Sequence, residues 1–560
     1  MRRLVWLVAL VLLLLSLTAC TTSWQGEFGD GLYWSLDFWG NLRIEGQGAI
    51  PDYEMRKDES LFDDELNGPR APWILAERII LSVEIGEGIT EIGDEAFAFC
   101  RDIKSVSLPN SLTRIGVMAF YKCEKLKNII LPDSLTEIEQ YAFAYCFSLT
   151  NVPLPEQLTV LDVCAFHACT KLREVYLPAG VSRYSSPFYG CENLETITLA
   201  EGHEQFIVQD GVLFNHDKTK LVFYPPGKAD TVYTVPEGVK IVGYASFAYA
   251  DSLKKIFLPE GVETIDDYAF ENCSALRTLE LPPSIAEIQN SVFSKSGLVE
   301  IKLPDHLTTL GEGIFYECTS LERVELPASL ETIPSGLFCG CTALQEVEIP
   351  EAVTHIGLHA FAYCDALETL HIPAKAWVYE GAIHHCDNLR EITVDETNPY
   401  FYTIDGVLFG DGRSFGSGGS TLLAYPAGKK DDEYLIPDGV VRLGQCAFGG
   451  SQYLKWVMLP NQVRSLGSAV FHDSRRLTGV MFGTGVTTLP TLFFAKCNRL
   501  KELFVTDQLI MIENKAFDEV DSLRHITFTG TEAQWNAIEI ADGNDVLSRT
   551  EIVFGSTKSE

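Results

Sequence analysis

The sequence predicts a β solenoid, in which one short structural unit is stacked many times along the chain. A pattern of C-x-x-L-x-x-I-x-L-P-x-x-L-x-x-I-x-x-x-A-F runs from Cys123 to Phe143 and starts again at Cys146. The phenylalanine that closes the pattern recurs every 22 or 23 residues through most of the chain, and the apolar positions keep the same phase. Because chance does not hold five apolar positions in phase over so many copies, this repeat is the dominant signal.

The closing aromatic position defines sixteen copies, which two longer gaps separate into three runs: Phe97, Phe120, Phe143, Phe166, Phe188, Phe247, Phe270, Phe293, Phe315, Phe338, Phe361, Ile383, Phe448, Phe471, Phe494 and Phe517. A period in the low twenties with L-x-x-I-x-L inside it is typical of leucine-rich repeats. The predicted fold class is therefore a leucine-rich-repeat solenoid with parallel β repeats of about 23 residues, β-hairpin insertions and caps at both ends.

Each copy has the same predicted elements. In the copy that begins at Cys123, Leu126, Ile129 and Leu131 form a short strand that Pro132 ends. The second half is a shorter extended piece, and the Ala-Phe pair turns the chain back. Stacked copies pair their strands in parallel, about 4.8 Å apart.

Residues 1–20 are predicted to direct export. Arg2 and Arg3 precede an unbroken apolar run that is too short for a comfortable membrane span. The closing residues Leu17-Thr18-Ala19-Cys20 resemble the bacterial lipoprotein signal, which implies that Cys20 is the lipid anchor and that the rest lies outside the cytoplasm. The alternative is a plain cleaved signal with an incidental cysteine.

The remaining segments are predicted from their strand and turn signals. Residues 32–46 alternate as two strands joined at Gly40-Asn41, a hairpin that would cap the first repeat. The two gaps both contain Asp-Gly-Val-Leu-Phe and are predicted to be hairpins that protrude from enlarged repeats. The predicted domains are a signal peptide at 1–19, a β-hairpin cap at 20–75, a solenoid at 76–528 with hairpin insertions at about 200–235 and 397–436, and a C-terminal cap and tail at 529–560.

Composition and charge limit the partners. The chain is 46% hydrophobic and 21% charged, as expected of a folded protein, and its net charge is −34. Such an acidic surface repels phosphate backbones, so no nucleic-acid partner is expected.

The cysteines follow the repeat. Eleven of the fifteen lie three residues after the closing position, where alanine or serine can replace them. Side chains stacked in parallel point the same way, which does not suit a disulfide, so buried free thiols are predicted.

No zinc-protease or nucleotide-binding motif is found. His384-His385-Cys386 has the composition of a metal site, but neighbouring residues of a strand or turn are expected to point apart, and His355 and His359 lack helical spacing. The sequence has no H-E-x-x-H motif and no G-x-x-x-x-G-K-[ST] phosphate-binding loop. We predict a non-enzymatic protein without a cofactor or metal.

A recognition surface follows from strand geometry. In L-x-x-I-x-L the residue between the last two apolar positions faces outward, and contiguous exposed apolar residues mark interfaces. This position holds Met458, Met481 and Phe504 in three successive repeats, and Ile130 and Tyr176 near the other end. The alternative is that the second hairpin or the C-terminal cap covers the Met/Phe patch.

The A-F-x-x-C-x-x-L-x-x-I-x-L-P pattern, the Asp-Gly-Val-Leu-Phe hairpins and the closing Gly530-Thr531-Glu532-Ala533-Gln534-Trp535-Asn536 resemble the BspA-like, Treponema-type leucine-rich repeat proteins of bacterial surfaces. The resemblance implies a surface protein that adheres to, or binds, an extracellular protein or glycan, held to the membrane by its lipid. A structural role in the envelope without a host ligand is the alternative, and an extracellular enzyme is a distant third.

Overall fold

The fold is described from a computed structural model over residues 24–29, 31–54, 71–77, 79–413, 415–416 and 418–555. The predicted signal peptide and Cys20 lie outside these residues. The described chain is a parallel β solenoid with little helix, as the sequence predicts. It divides into two compact units: unit 1 is Met1–Tyr233 with Gly238–Leu253, and unit 2 is Thr234–Glu237 with Lys254–Glu560.

Each coil of the solenoid consists of a first strand, a shorter second strand and a turn that carries the closing phenylalanine. In the first coil Glu95 and Phe99, two residues before and after Phe97, both have a left-handed backbone, with φ of 58° and 63°. The turn also pairs with the next coil, because the backbone N–H groups of Glu95, Phe97 and Phe99 donate to carbonyls of Val117, Ala119 and Tyr121. The same left-handed pair recurs around the closing residue in later coils, so the turn is a third ladder of backbone hydrogen bonds.

The strands of unit 1 form two series and a meander. The first series is Trp24–Phe28, Leu32–Leu36, Asn41–Glu45, Ser82–Ile85, Ser105–Ser107 and Asn128–Ile129, followed by the pair Glu174–Leu177 and Thr196–Leu199. The second series is Gly48–Ile50, Ile89–Ile92, Arg114–Ile115, Glu137–Ile138, Val160–Leu161 and Arg183–Tyr184. The meander is Phe206–Gln209, Val212–Asn215 and Lys220–Phe223, onto which Ile241–Val242 pairs in parallel. Strand Val232–Thr234 contains the sequence boundary between the units.

Unit 2 repeats this organisation. Its first series is Lys255–Phe257, Glu300–Lys302, Arg323–Glu325, Thr369–Ile372, Glu391–Val394, Glu433–Leu435, Trp456–Met458, Gly479–Met481, Glu502–Val505, His525–Phe528 and Glu551–Phe554. Its second series is Thr264–Ile265, Glu287–Ile288, Thr332–Ile333, His355–Ile356, Trp377–Val378, Val440–Leu443, Ser465–Leu466, Thr488–Leu489, Met511–Ile512 and Glu539–Ile540. Two turn segments, Phe361–Ala362 and Ile383–His384, also pair in parallel. The meander is Phe401–Ile404, Val407–Gly410 and Ser420–Ala424.

Helical structure is confined to short pieces near the ends. Ile74–Ala76 and Asp545–Arg549 are 3-10 helices, and Glu532–Trp535 is an α-helix within the predicted C-terminal cap. The α-helix begins with a capping box, in which Thr531 accepts from the backbone N–H of Gln534 and the Gln534 side chain accepts in return. In the part of the chain that the structure describes, no helix is long and apolar enough to cross a membrane.

Two columns of side chains run through the core. In unit 1 the rings of Phe97, Phe120, Phe143, Phe166 and Phe188 stack with centroids 5.1 to 5.7 Å apart. The second column consists of cysteines in both units. Their thiols donate to the carbonyl of the closing residue one coil earlier, at 2.9 to 3.4 Å: Cys123, Cys146, Cys169, Cys191, Cys318, Cys341, Cys364, Cys386 and Cys497. No disulfide joins the described cysteines, and the eleven at the repeat position are buried, as predicted.

Trp73 closes the phenylalanine column at the N-terminal end. Its ring is buried and stacks on Phe97 at 5.4 Å, and its Nε1 donates to the carbonyl of Ala96 at 2.9 Å. Edges of Phe28 and Tyr53 pack against it. The indole therefore replaces the phenylalanine of a missing coil and covers a surface that the first repeat would expose.

The two insertions do not protrude as the sequence predicts. Val212–Asn215 and Val407–Gly410 are central strands of the meanders, and Leu213, Val407 and Phe409 are fully buried parts of the hydrophobic core. Both predicted hairpins form, as antiparallel strand pairs on either side of the Asp-Gly turns, but the predicted protrusion was wrong. Each meander ends in a strand that pairs in parallel with the next coil, which makes the insertion a wide coil.

Each wide coil is closed by a tyrosine that the sequence analysis missed. Tyr224 and Tyr425 are buried and lie 23 residues before Phe247 and Phe448, with ring centroids 5.3 and 5.2 Å from them. Each tyrosine hydroxyl donates to an aspartate, Asp230 or Asp431. A period search that accepted tyrosine at the closing position would have found both coils.

Candidate recognition surfaces

The exposed face of the last sheet in unit 2 carries an apolar row. Register pairs Leu435 with Met458, Met458 with Met481, and Met481 with Phe504 on adjacent parallel strands. We call these four residues the C-terminal apolar row. Leu435 is 63% exposed and Met481 41% exposed, whereas Met458 and Phe504 are half-buried. At about 4.8 Å per strand the row spans roughly 14 Å.

In the part of the chain that the structure describes, neither the second insertion nor the C-terminal cap covers this row. The terminal strand Glu551–Phe554 pairs in parallel with His525–Phe528, so it lies beside the row. It extends the same face with Val553, which is 40% exposed. The insertion strands belong to a different sheet.

A second row, which the sequence analysis missed, lies next to the first. Trp456 faces the same side as Met458 because side chains two residues apart on a strand share a face. Its indole lies over Gly479, where an added Cβ would be 2.4 Å from the ring, and its centroid is 6.1 Å from that of Phe504. The strand period of two would have predicted Trp456 as part of this surface.

Acidic groups flank the apolar side chains. The register continues from Trp456 through Gly479 to Glu502, His525 and Glu551. The Nδ1 of His525 lies 2.8 Å from a carboxylate oxygen of Glu551. The surface therefore combines the C-terminal apolar row with the flanking carboxylates of Glu502 and Glu551. This composition suits a partner with apolar and basic groups.

Unit 1 contains the other predicted candidates. Ile130 is 80% exposed and Tyr176 41% exposed, and the intervening repeat has an exposed proline, Pro153, at the corresponding position. Tyr176 lies on a two-stranded sheet opposite Thr198. This surface is more broken than the C-terminal apolar row, because Ile130 and Tyr176 are separated by one repeat.

Four histidines of unit 2, which we call the histidine chain, contact one another through their ring nitrogens. The Nδ1 of His359 is 2.8 Å from the Nε2 of His384, and the Nδ1 atoms of His384 and His385 are 2.7 Å apart. The Nε2 of His385 is 3.1 Å from the Nδ1 of His472. Each contact needs one N–H donor and one lone pair, so four neutral rings satisfy every contact.

The expectation that His384 and His385 point apart was wrong. Strand Ile383–His384 ends at His384, and His385 has a φ of 55°, so strand alternation stops between them. Burial, together with the neighbouring imidazoles, lowers the pKa of His384 to about 2, and burial lowers that of His385 to about 4. Among the described residues no group of three or more His, Cys, Asp or Glu side chains is arranged to hold a metal ion.

A polar hollow of about 500 Å³ lies on another face of unit 2. Its lining includes Arg442, whose guanidinium donates to both carboxylate oxygens of Glu380 at 2.9 and 3.0 Å. Because this cation is already paired, the hollow offers less to a ligand than the C-terminal apolar row does.

Comparison with known proteins gives the family. A family model of the BspA type leucine rich repeat region, built of six copies, matches residues 90–216, 229–324, 308–409 and 430–537. These ranges together span well over half of the sequence, so the chain belongs to this family. A search of curated proteins gives no match.

Solved structures similar to this chain include bacterial leucine-rich repeat proteins. One from Eubacterium ventriosum is 25% identical, with a TM-score of 0.55 over 69% of this chain and 99% of its own. The pneumococcal vaccine antigen PcpA is 18% identical, with a TM-score of 0.43 over 63% of this chain and 99% of its own. A leucine rich cell surface protein from Faecalibacterium prausnitzii is 19% identical, with a TM-score of 0.24 over 92% of this chain and 97% of its own. The first of these supports the solenoid fold.

Proposed function

We propose that this protein is a non-catalytic, exported binding protein that recognises an extracellular protein or glycan through the C-terminal apolar row. The observation that carries the proposal is the exposure of Leu435 and Met481 on a sheet of parallel strands in regular register, with Trp456 beside them. Monomeric proteins rarely leave contiguous apolar strips exposed, and such strips mark interaction sites.

The chemistry of the surface supports a protein partner with mixed character. Aromatic and methionine side chains are enriched at interfaces, and methionine adapts its shape to the surface that it contacts. Glu433 and Glu502 on the flanking row can pair with basic side chains of the partner. Membership of a repeat family and the predicted export signal at residues 1–20 support a role outside the cytoplasm, with Cys20 as the lipid anchor.

The test is a binding screen of residues 21–560 against extracellular matrix proteins and glycans. The variant Met458→Glu/Met481→Glu/Phe504→Glu places three charges on the row. The variant Ile130→Glu/Tyr176→Glu places two charges on the exposed face of unit 1 and is the control. Circular dichroism and thermal unfolding of both variants establish that each remains folded.

We expect a partner whose binding is lost in the first variant and kept in the second. Charging three adjacent interface positions should weaken binding at least about a hundredfold. Loss only in the unit 1 variant would move the site to Ile130 and Tyr176. If the wild-type chain bound none of the matrix proteins and glycans, the proposal would be refuted and a structural role in the envelope favoured.

A further inference from the structure

The N-terminal cap has an exposed apolar end. Trp24 is 55% exposed, Phe38 70%, Trp39 74% and Ile79 51%. The rings of Phe38 and Trp39 lie edge to face at 5.7 Å. We call these four residues the aromatic end of the cap.

The four residues lie together although they come from three segments. Trp24, at the start of the first strand, pairs with Leu36, the last residue before the turn that carries Phe38 and Trp39. That turn rests on Ile79, since a Cβ on Gly40 would be 2.2 Å from the Ile79 carbonyl oxygen.

The turn that presents Phe38 and Trp39 is ordered by hydrogen bonds. The Asp37 carboxylate accepts from the backbone N–H groups of Trp39 and Asn41 at 2.8 and 2.9 Å, and from the Asn41 side chain at 2.7 Å. Gly40 has a φ of 82°, and its carbonyl accepts from the N–H of Leu81 at 2.7 Å. The two aromatic rings are therefore held outward on a rigid turn, and little conformational entropy remains to be lost when they bind.

The start of the described chain is at the same end of the cap. Cys20 precedes Trp24 by four residues, which span at most about 14 Å when extended. A lipid on Cys20 would hold a bilayer surface within this distance of Trp24 and hence close to the Phe38-Trp39 turn. Tryptophan and phenylalanine favour the boundary between the polar headgroups and the acyl chains.

We propose that the aromatic end of the cap inserts Phe38 and Trp39 into the interface of the bilayer that holds the N-terminus of the mature chain. The inference rests on the proposed lipid anchor and is independent of the ligand surface in unit 2. Insertion of the rigid turn gives the protein a second contact with the membrane, in addition to the lipid on Cys20. The two contacts together fix the orientation of the cap against the membrane.

The charges around the turn indicate how the contact is made. Asp37 lies in the turn, and on the adjacent strand Arg43 donates to Glu84 at 2.8 Å. Among the residues that the structure describes at this end of the cap, no excess of basic groups therefore accompanies the aromatic side chains. Insertion should depend on apolar burial, and anionic lipids should not strengthen it.

The first experiment measures depth in the membrane with the lipidated full-length product. The protein is reconstituted in phosphatidylcholine vesicles whose acyl chains carry bromine, and quenching of tryptophan fluorescence is recorded. Trp39→Phe should remove most of the quenched intensity, because phenylalanine keeps the insertion but does not emit. Trp456→Phe, a change in unit 2, should leave the quenched intensity unchanged. Equal quenching in the wild type and in Trp39→Phe would overturn the proposal.

The second experiment uses the mature chain with Cys20→Ser, which carries no lipid. Its flotation with phosphatidylcholine vesicles should weaken about tenfold or more in Phe38→Ser/Trp39→Ser. Ile130→Ser/Tyr176→Ser, which also removes two exposed apolar side chains, should match the parent, and added phosphatidylglycerol should not increase binding.

The outcomes separate the cap from the anchor. Flotation that Phe38→Ser/Trp39→Ser leaves unchanged would overturn the proposal, as would a dimer in sedimentation that this variant abolishes while vesicle binding persists. Mass spectrometry of the N-terminal peptide of the wild-type product tests the anchor separately. If that peptide carried no lipid while flotation of the Cys20→Ser chain still depended on Phe38 and Trp39, insertion would be supported and the anchor refuted.

Discussion

The histidine chain gives the solenoid a calculable sensitivity to acid. His384 contacts His359 and His385 through its two ring nitrogens, and a second proton on it would place a positive charge inside this buried cluster of imidazoles. Its pKa in the folded chain is lowered to about 2 by burial and by the neighbouring imidazoles, whereas an unfolded histidine titrates near 6.5. Between these values the unfolded chain binds the additional proton.

Stability therefore rises with pH across this window. The contribution of His384 is complete above pH 7 and is lost as the pH falls below about 6.5. Between pH 7 and pH 5.5 the linkage relation gives a loss of about 1 kcal/mol in the free energy of unfolding for one such histidine. Glu271 has the opposite effect on the pH dependence of stability. Burial raises its pKa to about 7, so the folded chain binds a proton there before the unfolded chain does as the pH falls.

The comparison of a variant with the wild type isolates the histidine contribution. We expect the His384→Gln chain to lose about 1 kcal/mol less than the wild type when urea unfolding of unit 2 is measured at pH 7 and pH 5.5. The acids are the same in both proteins, so their effect cancels. His306→Gln, at an exposed position of the same unit, is the control and should follow the wild type. If His384→Gln and the wild type lost the same stability, the neutral histidine chain would be wrong.

Two further predictions test the core columns. Phe143→Ala should destabilise unit 1 by about 4 kcal/mol, because the ring is fully buried and stacked on both sides, whereas Phe147→Ala, at a 38% exposed position four residues later, should cost less than about 1 kcal/mol. Thermal and urea unfolding of the two variants measure this difference, and similar costs would contradict the column. For the thiols, an aromatic disulfide reagent applied to the Cys20→Ser chain should react fully only after unfolding. Cys339, which is half-exposed and whose pKa burial raises to about 11, should account for the slow native reaction that Cys339→Ala removes. Rapid labelling of several native thiols would refute the buried ladder.

The repeat was readable from the sequence because every coil obeys the same local rules. Leu126, Ile129 and Ile138 had to be buried for the strands to pair, and Phe143 had to close the turn. One in-register copy therefore predicts its neighbours. The thiol ladder followed in the same way, since Cys146 and Cys169 occupy equivalent positions and cannot face each other.

The candidate surfaces depended partly on contacts between coils. Met458, Met481 and Phe504 could be aligned from their spacing, but the indole of Trp456 joins them only because Gly479 leaves room for it on the next strand. The period could not reveal the histidine chain, because His472 lies 87 residues from His385 and reaches it across the second insertion.

The sequence by itself determined the period, the closing aromatic column, the parallel pairing and the buried thiols, because these depend on positions that recur in every coil. Only the tertiary structure decided that the insertions are buried meanders and that Tyr224 and Tyr425 close the two wide coils. It also decided that Trp24, Phe38 and Ile79 lie at one end of the cap. The physical reason is that such contacts join segments from outside the repeat, where no periodic rule fixes which residues meet.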